Sequence, residues 1–149
     1  MQISQGNHDI LLKFASENPC EEICGLLAGK GEEITRVIPV TNQLHSAFRY
    51  RMDPREQYWG FKDIEESHFD LLAIYHSHPS GLAFPSELDL LEHAYPGVKC
   101  VIIAPGPSGW YLRLFDLDEK STRELELKIA PSTASFYPVE GYLPKEKRS

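Results

Sequence analysis

Leu71-Leu72-Ala73-Ile74-Tyr75-His76-Ser77-His78-Pro79 is an apolar run that ends abruptly in two histidines and a proline. A short uninterrupted apolar stretch predicts a strand buried on both faces, and Pro79-Ser80-Gly81 behind it starts a turn. In a strand, residues i and i+2 point to the same face, about 7 Å apart along the chain. His76 and His78 can therefore converge on one ion. A lone histidine at a strand end is usually a hydrogen-bonded structural residue. A His-x-His pair that runs straight into Pro and Gly has no obvious packing role and reads as a ligand pair.

Working outward, the loop Ser80 to Pro85 leads into Ser86-Glu87-Leu88-Asp89 and a further apolar run. Ser-x-x-acid before such a run is a helix N-cap signature. Capping by itself explains the pattern, yet it leaves Asp89 in the first helical turn, where a carboxylate oxygen can still turn toward the two imidazoles. His76, His78 and Asp89 would then be three protein ligands. Three ligands with a fourth position open to water is the pattern of catalytic rather than structural zinc. Such an ion lowers the water's pKa from ~9 toward ~7.

The rest of the chain reads as follows. Ile10, Leu11 and Phe14 predict a helix over 8–17, with Asn7 as its cap, and Lys30-Gly31-Glu32 joins strands 22–29 and 33–40 into a hairpin. Asp53-Pro54 opens a helix to Ser67, Ser86 to Ala94 is a helix, and Lys99 to Ala104 is a second buried strand. Strands 110–116 and 120–129 follow the Gly106-Pro107-Ser108-Gly109 turn. Residues 1–129 form one expected domain. Residues 130–149 mix prolines, Phe136, Tyr137, Tyr142 and a charged end, and read as an appended tail.

With 149 residues, 42% of them hydrophobic, the chain can build a core without a structural metal, so any metal is suspected of chemistry. A formal charge of −7 argues against nucleic acid. No apolar stretch approaches the ~20 residues of a membrane span. The N-terminus has no signal-peptide pattern, and three cysteines are too few for a disulfide framework. The expectation is a cytoplasmic protein with reduced thiols.

His76-Ser77-His78-Pro79, six residues, then Ser86-x-x-Asp89 resembles the JAMM motif of the MPN (Mov34/PAD-1) metalloproteases. The family's remaining element, a Glu on an early strand followed by a Gly, is matched by Glu22-Ile23-Cys24-Gly25. The resemblance spans about residues 3–128 and looks most like small stand-alone prokaryotic members. It implies an α+β fold, a mixed and largely antiparallel sheet flanked by helices with cytidine-deaminase-like layering. It also implies one Zn2+ on His76, His78 and Asp89, Glu22 as general base, and Ser86 as stabiliser of the tetrahedral oxyanion. The implied substrate is a ubiquitin-like sulfur-carrier protein cut after its C-terminal Gly-Gly.

Amide hydrolysis independently requires a group that takes the water proton and delivers it to the leaving amine. Glu21 is the competing carboxylate, but strand alternation lets only one of the two face the metal. Cys20, Cys24 and Cys100 lack zinc-knuckle spacing, and His8, His45, His68 and His93 lack ligand spacing. Asn42 matches a position often seen in small prokaryotic relatives, although a turn-forming Asn explains it equally well. Among other functions, a non-catalytic MPN scaffold would typically lack the ligand set, and a RadC-like DNA-repair relative would not be this acidic. A non-haem iron enzyme shares the two-His, one-carboxylate donor set.

Overall fold

Among the described residues, eight strands form one sheet in the order β7-β6-β5-β4-β2-β3-β1-β8. The computed structural model describes residues 1–118 and 121–132. The elements are β1 (Gln2–Ser4), α1 (Gln5–Glu17), β2 (Cys24–Lys30), β3 (Glu33–Val40), α2 (Pro54–Glu66), β4 (Asp70–Ser77), α3 (Glu87–Glu92), β5 (Lys99–Gly106), β6 (Gly109–Leu117), β7 (Thr122–Leu125) and β8 (Lys128–Ala130). The β2-β3, β2-β4, β5-β6 and β6-β7 pairs are antiparallel. The β4-β5, β1-β3 and β1-β8 pairs are parallel. The α+β expectation and the mixed sheet hold.

The sheet curls. β7 and β8 lie at its opposite edges, yet only Glu126 and Leu127 separate them in sequence. Three Cα steps of 3.8 Å reach about 11 Å at most, so the two edges must approach each other. Inside the curl sits α1, whose Leu11 and Ala15 pack with Ile3, Leu27, Val37 and Val101. The opposite face carries α2, where Ile64 packs with Cys24, Leu26, Ile38 and Ile74. Strand alternation in β4 therefore sends Tyr75 toward α1 and Ile74 toward α2. His76 shares the α2 side with Ile74.

Several boundaries differ from the sequence reading. α1 starts at Gln5, and its cap is Ser4, whose hydroxyl accepts from the Asn7 N–H at 3.1 Å. Its buried stripe is Asn7, Leu11 and Ala15, not Ile10, Leu11 and Phe14. β1 has three residues, too short for a period-two pattern to show. The expected strand over 120–129 is two strands, β7 and β8, because the chain leaves one sheet edge and joins the other. The expected domain end at residue 129 falls inside β8, and the Gly6 N–H donates to the Ser132 carbonyl. The tail aromatics Phe136, Tyr137 and Tyr142 lie outside the described residues.

Candidate active site

The site forms at the carboxyl end of β4, where the crossover toward the parallel strand β5 departs. Cys24 of β2 is the register partner of His76. Glu22 lies two residues before Cys24 and just outside β2, one correction to the expected strand over 22–29. Its orientation is nevertheless strand-like, because Ile23 pairs with Ser77. The Ser77 N–H donates to the Ile23 carbonyl at 3.0 Å, and the Ile23 N–H donates to the Ser77 hydroxyl at 2.8 Å. Glu22 is 4% exposed. Glu21 turns outward and meets His45 at 3.2 Å. Gly25 has a packing role, since a Cβ there would collide with the Tyr75 hydroxyl and the Ile38 carbonyl.

Three donor atoms converge. His76 Nε2 is 3.0 Å from His78 Nε2, His78 Nε2 is 3.0 Å from Asp89 Oδ2, and His76 Nε2 is 3.2 Å from Asp89 Oδ2. Donors bonded to one ion at ~2.0–2.1 Å lie about 3.3 Å apart in a tetrahedron, so the triangle has metal-site dimensions. The tautomer supports the same conclusion. His78 Nδ1 faces the Leu82 carbonyl at 2.8 Å, an acceptor only, so Nδ1 carries the hydrogen. The neutral ring then turns a lone pair at Nε2 toward a carboxylate oxygen. A cation, or a proton on the ring, is needed to make that corner attractive. Glu22 offers a carboxylate oxygen within 4.8 Å of donor atoms on both imidazoles, and its buried Oε1 has no hydrogen-bond partner.

The third corner rides on α3. Ser86 and Asp89 form a reciprocal capping box: the Asp89 N–H donates to the Ser86 hydroxyl at 3.0 Å, and the Ser86 N–H donates to Asp89 Oδ2 at 2.9 Å. The expected cap is therefore formed, and the same Asp89 oxygen that closes it lies at the third corner of the triangle. α3 ends at Glu92, two residues before the expected Ala94, and none of its residues is buried. Sequence reasoning missed Tyr50, whose ring stacks on His76 at 4.7 Å and 27°. It also missed the Arg49–Glu92 ion pair that ties the 42–52 loop to α3, and the Ile23–Ser77 pairing. Each joins segments far apart in sequence, so no local pattern records the pairing.

Residues 4–124 match the family described as prokaryotic homologs of the JAB domain. The chain belongs to this family. Among curated relatives of this JAB-domain chain is a desampylase of Haloferax volcanii, 30% identical over 70% of this chain and 81% of that protein. A probable TtuB-protein conjugate cleaving protease of Thermus thermophilus is 44% identical over 51% of each chain. A CysO-cysteine peptidase of Mycobacterium tuberculosis is 34% identical over 63% of this chain and 66% of that protein. The solution structure of a Desulfitobacterium hafniense protein superposes with a TM-score of 0.78 at 28% identity, covering 88% of this chain and 93% of that one. A JAB1/MPN domain protein from Archaeoglobus fulgidus shares the fold, with a TM-score of 0.55 at 23% identity over 87% of this chain and 99% of that one.

Electrostatics in this JAB domain separate the two carboxylates. Burial pushes Glu22 up to about 8, helped by the charge of Asp89 and opposed by His78. Burial alone would raise Asp89 too, but the hydrogen bonds of both histidines, the charge of His76 and the Ser86 N–H hold it well below the usual carboxylate range. Burial lowers His76. His78 is also disfavoured by burial, yet Asp89 and the Leu82 carbonyl raise it above the usual histidine value. Two neighbouring carboxyls pushed apart in this way suit a base and a ligand respectively. Burial pushes Cys24 up to about 12 and raises Cys100 strongly, so neither is a ready thiolate. A cavity of about 220 Å³ beside His76 and Asp89 is walled by Arg49, Tyr50, Glu92 and Tyr95.

Proposed function

We propose that this chain is a zinc-dependent metallopeptidase that hydrolyses the amide bond after the C-terminal Gly-Gly of a ubiquitin-like sulfur-carrier protein. The observation that carries the reading is the triangle of His76 Nε2, His78 Nε2 and Asp89 Oδ2 with the buried Glu22 carboxyl beside it. An oxygenase would have use for the triangle, but a hydrolase also needs the adjacent carboxyl. The names of the relatives, a desampylase, a conjugate-cleaving protease and a CysO-cysteine peptidase, supply the substrate class.

Zinc on these three residues would supply Lewis acidity and an activated water at neutral pH. Glu22 takes the water proton at its carboxylate and returns it to the leaving amine, a role for which a value near 8 is well matched. Ser86 accepts the Asp89 N–H with its oxygen, which leaves its O–H free to donate to the oxyanion. His78 is oriented by its Nδ1–H on the Leu82 carbonyl. The catalytic unit takes in β1 through β8 and extends at least to Ser132, whose carbonyl accepts the Gly6 N–H. A cytoplasmic location fits three free cysteines, and no described helix is long and apolar enough to cross a membrane.

The test is a fusion of a Gly-Gly-terminated carrier to a reporter peptide. Cleavage directly after Gly-Gly, abolished by chelation and restored by zinc, is expected. Turnover that survives complete metal removal would overturn the mechanism.

A further inference from the structure

Asn42 is 2% exposed and uses its whole side chain. Its amide nitrogen donates to the carbonyls of Glu22 at 3.0 Å, Arg49 at 3.1 Å and Ser46 at 3.4 Å. Its amide oxygen accepts from the N–H groups of Leu44 and Arg51, both at 3.1 Å. Three carbonyls on one side and two N–H groups on the other permit only this orientation of the amide. A turn-forming Asn needs only the bond to the N–H two residues on, here Leu44. Four further bonds go beyond that requirement, and one reaches 20 residues back in sequence to Glu22.

The partners matter because of what they carry. The 42–52 loop is closed at its base by an antiparallel bridge between Asn42 and Met52. Its Ser46 carbonyl accepts the Glu22 N–H at 2.8 Å. Arg49 and Arg51, each held by Asn42, bracket Tyr50, the ring stacked on His76. Arg49 also grips Glu92 on the helix that bears Asp89. Asn42 thus fixes the main chain on which the base sits and, through the loop, the ring that backs one of the converging histidines.

We infer that Asn42 is a positioning residue for this site: it sets the attack geometry of Glu22 through the Glu22 carbonyl and the 42–52 loop, without touching substrate. The inference rests on the hydrolase reading above. A displacement of about 1 Å in a catalytic group, caused by a mutation away from the chemistry, can cost about 10²-fold in rate.

Asn42→Ala and its isostere Asn42→Asp, which keeps the acceptor but loses every donor, are assayed on the carrier fusion well below their own melting temperatures. Expected is a roughly 10- to 100-fold fall in kcat with KM nearly unchanged and metal content retained, the pattern of a lost transition-state geometry. An unchanged kcat in a folded variant, a change confined to KM, or loss of metal together with activity would each overturn it. If neither variant folds, hydrogen exchange in the unmodified protein decides. The Glu22 N–H and the Asn42 side-chain protons should be strongly protected, and exchange at the rate of open amides would overturn the inference. A protein that shows this protection but cleaves no fusion would instead sink the hydrolase reading.

Discussion

The two halves of the site are built differently. Its strand half, Glu22 and His76, is 4% and 1% exposed, with His76 on β4 and Glu22 held just before β2 by the Ile23–Ser77 pairing. Its helix half, Ser86 and Asp89, rides on six residues of which none is buried, with Leu91 83% exposed beside them. The sheet holds the first half whether or not an ion is present. The second is held by a capping box and the Arg49–Glu92 ion pair. An isolated helix this short is unstable without tertiary support. Glu22 and His76 are thus fixed by the sheet, while Ser86 and Asp89 rest on a short exposed helix with little packing of its own.

The strand half should show the largest catalytic effect with the least structural one. Glu22→Gln is expected to keep metal and fold while turnover falls roughly 10²–10⁴-fold. Glu21→Gln, whose partner is the surface His45, should change little. Steady-state rates with metal content measured in parallel decide, and a dead Glu21→Gln would reverse the assignment.

Removing one ligand from each half sharpens the contrast. Asp89→Ala should abolish metal retention while costing the metal-free protein only about 1 kcal/mol, because it removes one capping-box bond and leaves the Ser86 cap in place. His76→Ala should also lose metal but destabilise the metal-free protein by ~2–4 kcal/mol, the cost of a cavity under Tyr50. Denaturant unfolding of both metal-free variants checks this, and equal losses would refute the two-halves view. Chelation of the unmodified protein offers a gentler version. Amides of α3 should exchange at least about tenfold faster while those of β4 keep their protection, since local opening follows buried contacts.

The pH dependence follows from Glu22. Its folded value near 8 lies above the ordinary 4.5, so the folded protein holds that proton more tightly than the unfolded chain does. Stability from this source is full below about 4.5 and is lost as pH rises through about 8. Metal-free Glu22→Gln escapes the loss, so its melting temperature relative to the unmodified protein should rise between pH 5 and pH 9. A constant difference would show that Glu22 is not buried uncharged. The smallest effect is expected from thiol chemistry. Iodoacetamide should modify only the exposed Cys20 in the folded protein and leave turnover intact, since Cys24 and Cys100 are buried. Mass spectrometry of the alkylated protein gives the answer.

Much of the site is readable from spacing because ligand geometry is local. His76 and His78 lie two apart across the end of β4, and Ser86 and Asp89 lie three apart in a capping box, so local backbone spacing aligns each pair. The sheet's long central strands were also readable, since a buried strand must be continuously apolar. Less of the periphery was. β1 is too short to show a period, and the 120–129 stretch keeps its alternation while changing sheet edge.

The sequence by itself determined which residue types could bind a metal and move a proton, because those capacities belong to the side chains. Only the tertiary structure decided that Glu22 rather than Glu21 faces inward, through the Ile23–Ser77 pairing across 54 residues. It alone made Asn42 a hub rather than a turn and brought Tyr50 onto His76. Those contacts join segments distant in sequence, and no local periodicity records a partner that folding has yet to bring near.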